Sequence, residues 1–361
     1  MKEQELRDFV RDHLNELIPI HIANWSWEPA PRQDDYDILL ELSTVSGMFK
    51  AACEFMVVPT RAKIAQAQER MARIRDDSDH LPLLICDYLS EPLQAFCREA
   101  DVPYLDLSGN AWIEQPGLVI HRSSRAPRFP TSSPDRTPFA DKASLVLRFL
   151  FAQGEAGGVR ELARAVDLNP GYISRIVKVA EELGYVRVFQ NRSIRLVAPE
   201  EALGDWSSIY HWKKNRIRHF TLPERGGADS LLARLKENEN AALTMHAGAN
   251  LIDDYASYRG WHIYCRTAHE QTALEKNLAL TEVESGAGDV ILMQPYYRES
   301  AFYGMRFIGG VPVVSDLQLY LDLFKFPIRG RDTAERILTR RLRHEIPFSN
   351  EGQEGLPDDE S

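Results

Sequence analysis

The stretch VRELARAVDLNPGYISRIVKVAEELGYV, Val159–Val186, decides how this chain is read. Apolar residues recur at helical spacing on both sides of a short break, Asp167-Leu168-Asn169. Two helices joined by so short a turn must cross closely, and Ala163 supplies the small residue that such a crossing needs. Leu168 is the apolar anchor of the turn, Asn169 a good N-cap, and Pro170 suits the first helical position. On the second helix Ile173, Ile176, Val177 and Ala180 fall on the inner face, while Tyr172, Ser174, Arg175 and Lys178 fall on the outer one. A glycine is common in turns of this kind, and here Asp167 takes its place.

A helix over Lys142–Ala152 precedes this pair, and two short strands, Tyr185–Phe189 and Ser193–Val197, follow it. In the strands Val186, Val188, Ile194 and Leu196 alternate with Arg187 and Arg195, so one face should pack and the other stay cationic. Gln190-Asn191-Arg192 makes a polar tip. Helices followed by a hairpin in this order outline a winged helix-turn-helix over residues 139–199. Residues 168–197 hold five bases against two acids, which points to phosphate. The expected DNA-binding residues are Asn169, Gly171, Tyr172, Ser174, Arg175, Lys178, Arg187, Asn191, Arg192 and Arg195.

Upstream, Leu6, Phe9, Val10, Leu14, Leu17 and Ile18 form the stripe of an amphipathic helix. After the turn-rich EPAPRQDD come strands over Asp37–Ser43 and Phe49–Val58, a helix over Arg61–Arg75, and a buried strand at Leu83–Cys86. Ser90 opens a further helix, with Pro92 in its first turn. Short strands at Tyr104–Leu107, Ala111–Glu114 and Leu118–His121 complete a mixed α/β domain, 1–121. A carboxylate on one strand and Glu-x-Lys on the next is the metal-holding pattern of restriction-type nucleases. Asp37 and Glu54 supply the acids, but Met56 stands where the lysine belongs, and a thioether cannot activate water. We therefore expect a nuclease-like scaffold without catalysis, without a metal and without a cofactor.

Residues 122–138, RSSRAPRFPTSSPDRTP, carry four prolines and four arginines without periodicity and read as a linker. Residues 200–345 read as a C-terminal α/β domain, with helices over Asp205–Phe220 and Ser230–Glu237 and strands at Trp261–Arg266 and Asp289–Met293. Ser315 and Gln318 form a capping box for a helix bearing Leu317, Tyr320, Leu321 and Phe324, and Thr333–His344 is a last helix. His246-Ala247-Gly248-Ala249-Asn250 reads as a strand-to-helix turn or a ligand site. The second basic run, Lys213, Lys214, Arg216 and Arg218, is interleaved with Tyr210, Trp212 and Phe220 and reads as a solvated helix with an aromatic packing face or as a contact for DNA or a partner. Residues 346–361 form an acidic tail expected to be disordered. The fold class expected is α/β multidomain: a nuclease-like domain, a central winged helix-turn-helix and a C-terminal α/β domain.

With 43 basic and 53 acidic residues the net charge is −10, which argues against a general nucleic-acid binder and leaves room for a local basic module. No apolar run reaches the roughly 18 residues of a membrane span. The acidic, amphipathic start does not read as a signal peptide, so a cytoplasmic protein with no membrane partner is expected. The four cysteines lie far apart in apolar stretches and read as buried thiols.

These features together resemble the AbiEi-type antitoxins and transcriptional regulators of type IV toxin–antitoxin systems. The likeness rests on VPYLDLSGNAWIEQPGLVI (Val102–Ile120), on the Val159–Val186 stretch, and on VPVVSDLQLYLDLFKFPIRGRDTAERIL (Val311–Leu338). The resemblance implies a sequence-specific repressor that binds double-stranded DNA and neutralises a nucleotidyltransferase-type toxin. Two other classes stay open: an antitoxin acting mainly by protein contact with that toxin, and a metal-dependent DNA nuclease. The C-terminal domain is expected to dock a partner or a second copy as a homodimer. A fragment ending at Pro199 is then expected to keep its DNA binding.

Overall fold

The computed structural model describes residues 3–18, 22–29, 36–44, 47–57, 59–77, 80–123, 125, 128, 137–223, 227–253 and 260–342. The chain divides into two compact units. One comprises Met1–Ser133, Glu182–Gly184 and Glu200–Ser208, the other Pro134–Glu181, Tyr185–Pro199 and Ile209–Ser361. Among the described residues it is mixed α/β with three sheets. The expected acidic tail and most of the expected linker lie outside the described residues.

The first unit is built on a seven-stranded sheet whose spatial order follows the chain: β1 (Ile22–Pro29), β2 (Ile38–Thr44), β3 (Gly47–Met56), β4 (Leu81–Cys86), β5 (Tyr104–Asp106), β6 (Ala111–Gln115) and β7 (Leu118–Arg122). Pairing is antiparallel at both ends, while β3–β4 and β4–β5 are parallel. Helix α1 (Glu3–Leu17) lies on one face, where Leu6, Val10 and Leu14 pack with Leu40, Cys53, Phe55 and Ile85. Helices α2 (Arg61–Asp77) and α3 (Glu91–Glu99) contribute Ile64, Ala67 and Leu93 to a second cluster with Met56, Leu84 and Cys86. Side chains alternate along a strand, so the two clusters lie on opposite sheet faces. Strand β1 was not anticipated: it is an edge strand that runs to Pro29, and an edge tolerates a residue with no ladder N–H.

Residue 199 is not a clean boundary. Helix α7 (Pro199–Ile209) buries Ala202, Leu203 and Trp206, and Asp205 Oδ1 accepts the Ser90 hydroxyl at 2.6 Å within the first unit. The helix expected over Asp205–Phe220 stops at Ile209. A 3-10 turn, Trp212–Lys214, follows, and Arg216–Thr221 is a strand.

The second unit begins with α4 (Ser144–Gln153), followed by β8 (Glu155–Ala156), α5 (Val159–Ala165), α6 (Pro170–Glu182), β9 (Val186–Val188) and β10 (Ile194–Leu196). The three strands form an antiparallel sheet in the order β8-β10-β9. The remainder carries β11 (Arg216–Thr221), α8 (Gly227–Leu235), β12 (Ala241–Leu243), α9 (Met245–Ile252), β13 (Trp261–Cys265), α10 (Ala268–Asn277), β14 (Thr281–Val283), β15 (Val290–Gln294), β16 (Arg306–Ile308), β17 (Val311–Val313), α11 (Asp316–Phe324) and α12 (Gly330–Ile337). Its sheet runs β14-β11-β15-β13-β12-β17-β16.

One buried polar cluster holds this second sheet to its helices. Asp322 Oδ1 accepts from the hydroxyls of Tyr210 (2.6 Å) and Tyr264 (2.8 Å) and from Gln318 Nε2 (3.0 Å), while Oδ2 accepts from Thr244 Oγ1 at 2.5 Å. A fully buried carboxylate is tolerated only with such a shell of donors. Ser315 caps α11, its hydroxyl accepting the Gln318 N–H at 3.3 Å, as the sequence implies. The Gln318 side chain does not complete the box but turns into the Asp322 cluster. All four cysteines are buried, and burial raises their thiol pKa values.

Candidate nucleic-acid interface

The α5–α6 turn is set by backbone geometry. Asp167 adopts φ 52°, and the Leu168 N–H reaches back to the Ala163 carbonyl at 2.9 Å. That bond spans the end of α5 and, with a left-handed residue before it, forms a Schellman ending. Asn169 Oδ1 then accepts the Gly171 N–H at 2.8 Å, satisfying one of the unpaired donors that open α6. Pro170 is the first helical residue. The inner face is as expected: Ile173, Ile176, Val177 and Ala180 are buried.

The outer face of α6 carries Gly171, Ser174, Arg175 and Lys178, all exposed, with Tyr172 half-buried and the Arg175 guanidinium 5.8 Å from its ring centroid. On the hairpin Val186, Ile194 and Leu196 are buried, but Val188 is 40% exposed, so the packed face is shorter than the alternation suggests. Its N–H instead bonds Glu181 Oε1 at 2.9 Å, tying the hairpin to the end of α6. Arg187 and Arg195 are direct cross-strand partners, and both guanidiniums approach the Phe189 ring, at 6.0 and 4.9 Å. Like charges opposite each other repel, and Glu155 on β8 offsets this by pairing with Arg195 at 3.0 Å. Arg195 is therefore a neutralised cation, whereas Arg187 stays exposed with no carboxylate partner among the described residues.

At the hairpin tip the Arg192 N–H donates to the Phe189 carbonyl at 2.8 Å, and the Phe189 N–H to the Ser193 carbonyl at 2.9 Å. Asn191 Oδ1 accepts the Ser193 N–H at 3.0 Å. Arg192 closes the turn at φ 68°, a conformation most side chains avoid. An arginine held there projects from the tip.

The sequence reading missed Arg160 and Arg164, which stand exposed on α5, and Phe189, the platform for the two hairpin arginines. Their plain signal was the charge count of α5, VRELARA. An open cleft of about 690 Å³ borders the start of α6 and is lined in part by Asp141, Asp167 and Glu299 together with Lys142, so carboxylates outnumber cations there.

The acids proposed for a nuclease centre are kept apart. Asp37 accepts the Phe55 N–H at 2.8 Å and pairs with Arg7 of α1 at 2.9 Å. Glu54 points to the other sheet face, where Arg70 of α2 holds it through two hydrogen bonds, Nε at 3.2 Å being one. Met56 packs on that same side with Ile64 and Ala67. Asp37 and Glu54 cannot share one ion across the sheet, which corrects the expectation that they form one degenerate centre. Among the described residues no group of three or more His, Cys, Asp or Glu side chains is placed to hold a metal ion. No helix among them is long and apolar enough to cross a membrane.

Residues 195–343 match a family described as transcriptional regulator, AbiEi antitoxin, type IV toxin–antitoxin system. The match starts within β10 and covers under half of the chain, leaving the first unit, apart from its α7 portion Glu200–Ser208, and nearly all of the α4–β10 segment outside. No curated protein and no solved structure matches the chain. The AbiEi-like stretch is thus α7 and the C-terminal sheet with its helices. It includes the Asp322 cluster and the Val311–Leu338 segment of the resemblance, while the Val102–Ile120 and Val159–Val186 segments lie outside the match.

Proposed function

We propose that this protein is a transcriptional regulator that binds duplex DNA through a winged helix-turn-helix spanning α4 to β10. Helix α6 enters the major groove, and the β9–β10 hairpin contacts the backbone beside it. The observation that carries this reading is the exposure of Arg175 and Lys178 on a sharply capped helix and of Arg187 and Arg192 on the hairpin that the Val188–Glu181 hydrogen bond ties to it. Asn169, Gly171, Tyr172 and Ser174 lie at the start of the same helix, where base edges are read. Arg195 contributes less, because Glu155 already occupies it.

The test is a DNA-binding titration of Arg175→Ala/Lys178→Ala at two salt concentrations. Each lost phosphate contact should lower the salt slope by roughly 0.9. An unchanged slope in a folded double variant would remove α6 from the interface.

A second reading draws on the family match, whose description names an antitoxin and whose extent lies on the C-terminal sheet. In that reading residues 209–342 hold a toxin partner of the nucleotidyltransferase type, and the helix module regulates transcription. Co-purification with a toxin encoded beside this protein tests it. The nuclease reading has no such support, given that Asp37 and Glu54 each serve an arginine on opposite sheet faces. A regulator without enzymatic activity is the form we propose.

A further inference from the structure

The second basic run in the sequence ends up on two kinds of structure. Arg218, in β11, is bound by Glu282 at 2.7 Å and by Glu275, so its charge is spent locally. Lys213, Lys214 and Arg216 are exposed, and among the described residues none is paired with a carboxylate. They sit on and just after the 3-10 turn Trp212–Lys214.

This turn is rigidly supported. Asn215, 6% exposed, donates to the Tyr264 hydroxyl at 3.0 Å and accepts the Tyr296 N–H at 3.1 Å, which fixes the turn to the Asp322 cluster. The His211 N–H reaches the Tyr296 hydroxyl at 3.4 Å, and His211 Nδ1 accepts the Lys213 N–H at 3.2 Å. Trp212 donates to the Lys325 carbonyl at 3.3 Å, and its ring lies tilted against that of Phe326, 5.2 Å between centroids. The Lys213 and Lys214 amines lie 5.8 and 5.7 Å from the Trp212 and Tyr296 ring centroids, so both ammoniums are steered by aromatic faces. Burial lowers the His211 pKa, and Lys325, Lys213 and Lys214 lower it further, which marks converging positive charge.

We propose that Lys213, Lys214 and Arg216 form a second phosphate-contacting surface for duplex DNA, separate from α6 and the hairpin. An acidic protein of net charge −10 that keeps three cations uncompensated on a braced turn presents a local attraction for a polyanion. Trp212 and Tyr296 are engaged in packing and cation–π contacts, which leaves point charges rather than an apolar anchor as the exposed chemistry. Duplex DNA is favoured over an acidic protein because this turn belongs to the same compact unit as the α4–β10 segment, whose exposed cations are proposed to contact the same polyanion. The inference rests on the DNA-binding reading.

The experiment compares four forms of the full chain on one non-specific duplex: wild type, Lys213→Ala/Lys214→Ala/Arg216→Ala, Arg175→Ala/Lys178→Ala, and all five substitutions together. The salt dependence of binding is the readout, with circular dichroism confirming the fold. The triple variant should lower the salt slope by roughly 2 to 3, additively with the helix variant. A triple variant indistinguishable from wild type, beside a weakened helix variant, overturns this inference and leaves the α6 reading intact. Loss in the triple variant with an unaffected helix variant supports this surface and overturns the α6 reading. Loss of single-stranded nucleic-acid or acidic-polypeptide binding alone, with duplex binding unchanged, also overturns the proposal.

Discussion

The amide of Leu168 donates to the carbonyl of Ala163 at 2.9 Å, and that bond exists only because Asp167 between them takes φ 52°. The turn that the sequence marks as lacking its usual glycine therefore keeps the glycine conformation. An L-residue held there costs roughly 1–2 kcal/mol, less for Asp and Asn than for others. Asp167→Gly should raise stability by about 0.5 kcal/mol, part of the relief being lost to the added freedom of the unfolded chain. Thermal unfolding of the full chain measures this. A lower midpoint in the glycine variant would show that the Asp167 side chain, and not only its backbone, holds the turn.

Arg192 presents the opposite balance between stability and function. It also sits in the left-handed region, at φ 68°, yet its exposed side chain stands at the hairpin tip. Strain retained at such a position is a mark of use. Arg192→Gly should stabilise the hairpin by about 0.5–1 kcal/mol and at the same time reduce DNA affinity, with a salt slope lower by about one. Measured together, the two effects should move in opposite directions. A variant that is more stable and binds DNA as well as wild type would leave the arginine without a role.

Legibility in the sequence followed the range of the forces involved. The α5–α6 pair was readable because its signals are local: a cap at Asn169, a proline at position one and apolar residues at helical spacing. The same holds for α1, α3 and the Ser315 cap. Three-residue strands such as β12, β14 and β17 carry no period long enough to detect, and their identity comes from neighbours across the sheet. Residues 216–220, the end of the helix expected over Asp205–Phe220, are strand instead, because pairing with β14 and β15 on either side decides for it. At the candidate interface the residue identities were readable, but the neutralisation of Arg195 by Glu155 was not, since it depends on β8 joining the hairpin sheet.

The second unit also carries an acid-sensitive element. His262 on β13 is packed against Phe326, and burial lowers its pKa to about 4, with His246 and His219 nearby adding to the effect. In the unfolded chain a histidine titrates near 6.5. Between those values the unfolded form binds more protons than the folded one, so stability rises with pH across that window. Lowering the pH from about 6.5 to 4 should therefore weaken the fold, and His262→Phe should flatten that slope. Denaturant midpoints of the two proteins across the same pH series decide it. Equal slopes would place the acid sensitivity elsewhere, His246 being the next candidate because burial lowers its pKa as well.

The expectation that a fragment ending at Pro199 still binds DNA depends on whether the helix module, residues 139–199, folds alone. Helix α4 is buried on nearly every side: Leu145, Val146, Leu147, Leu150 and Phe151 are joined there by Ser144 and by Arg148, which is 2% exposed. A helix buried all round belongs to a core that surrounds it. Part of that surround lies beyond Pro199. Arg148 Nη2 donates to Gln318 Oε1 at 2.6 Å and its guanidinium lies over Tyr297, while the Ser144 hydroxyl meets that of Ser300 at 3.0 Å. The Tyr297 hydroxyl donates to the Phe139 carbonyl, and Asp141 accepts the Glu299 and Ser300 N–H groups. Through Gln318 the arginine is one bond from the Asp322 cluster. Residues 139–199 made alone should thus be only partly folded, with a weaker circular-dichroism signal and no cooperative melt, and should bind DNA poorly even at low salt. In the full chain Arg148→Ala should cost about 1.5–3 kcal/mol for the charged hydrogen bond, and more once packing is counted. Arg148→Ala combined with Gln318→Ala should fall short of the sum of the single losses by roughly 0.5–3 kcal/mol, the range for residues that share one network. Additive losses, or a fragment that melts cooperatively, would show that the helix module stands independently of the C-terminal sheet.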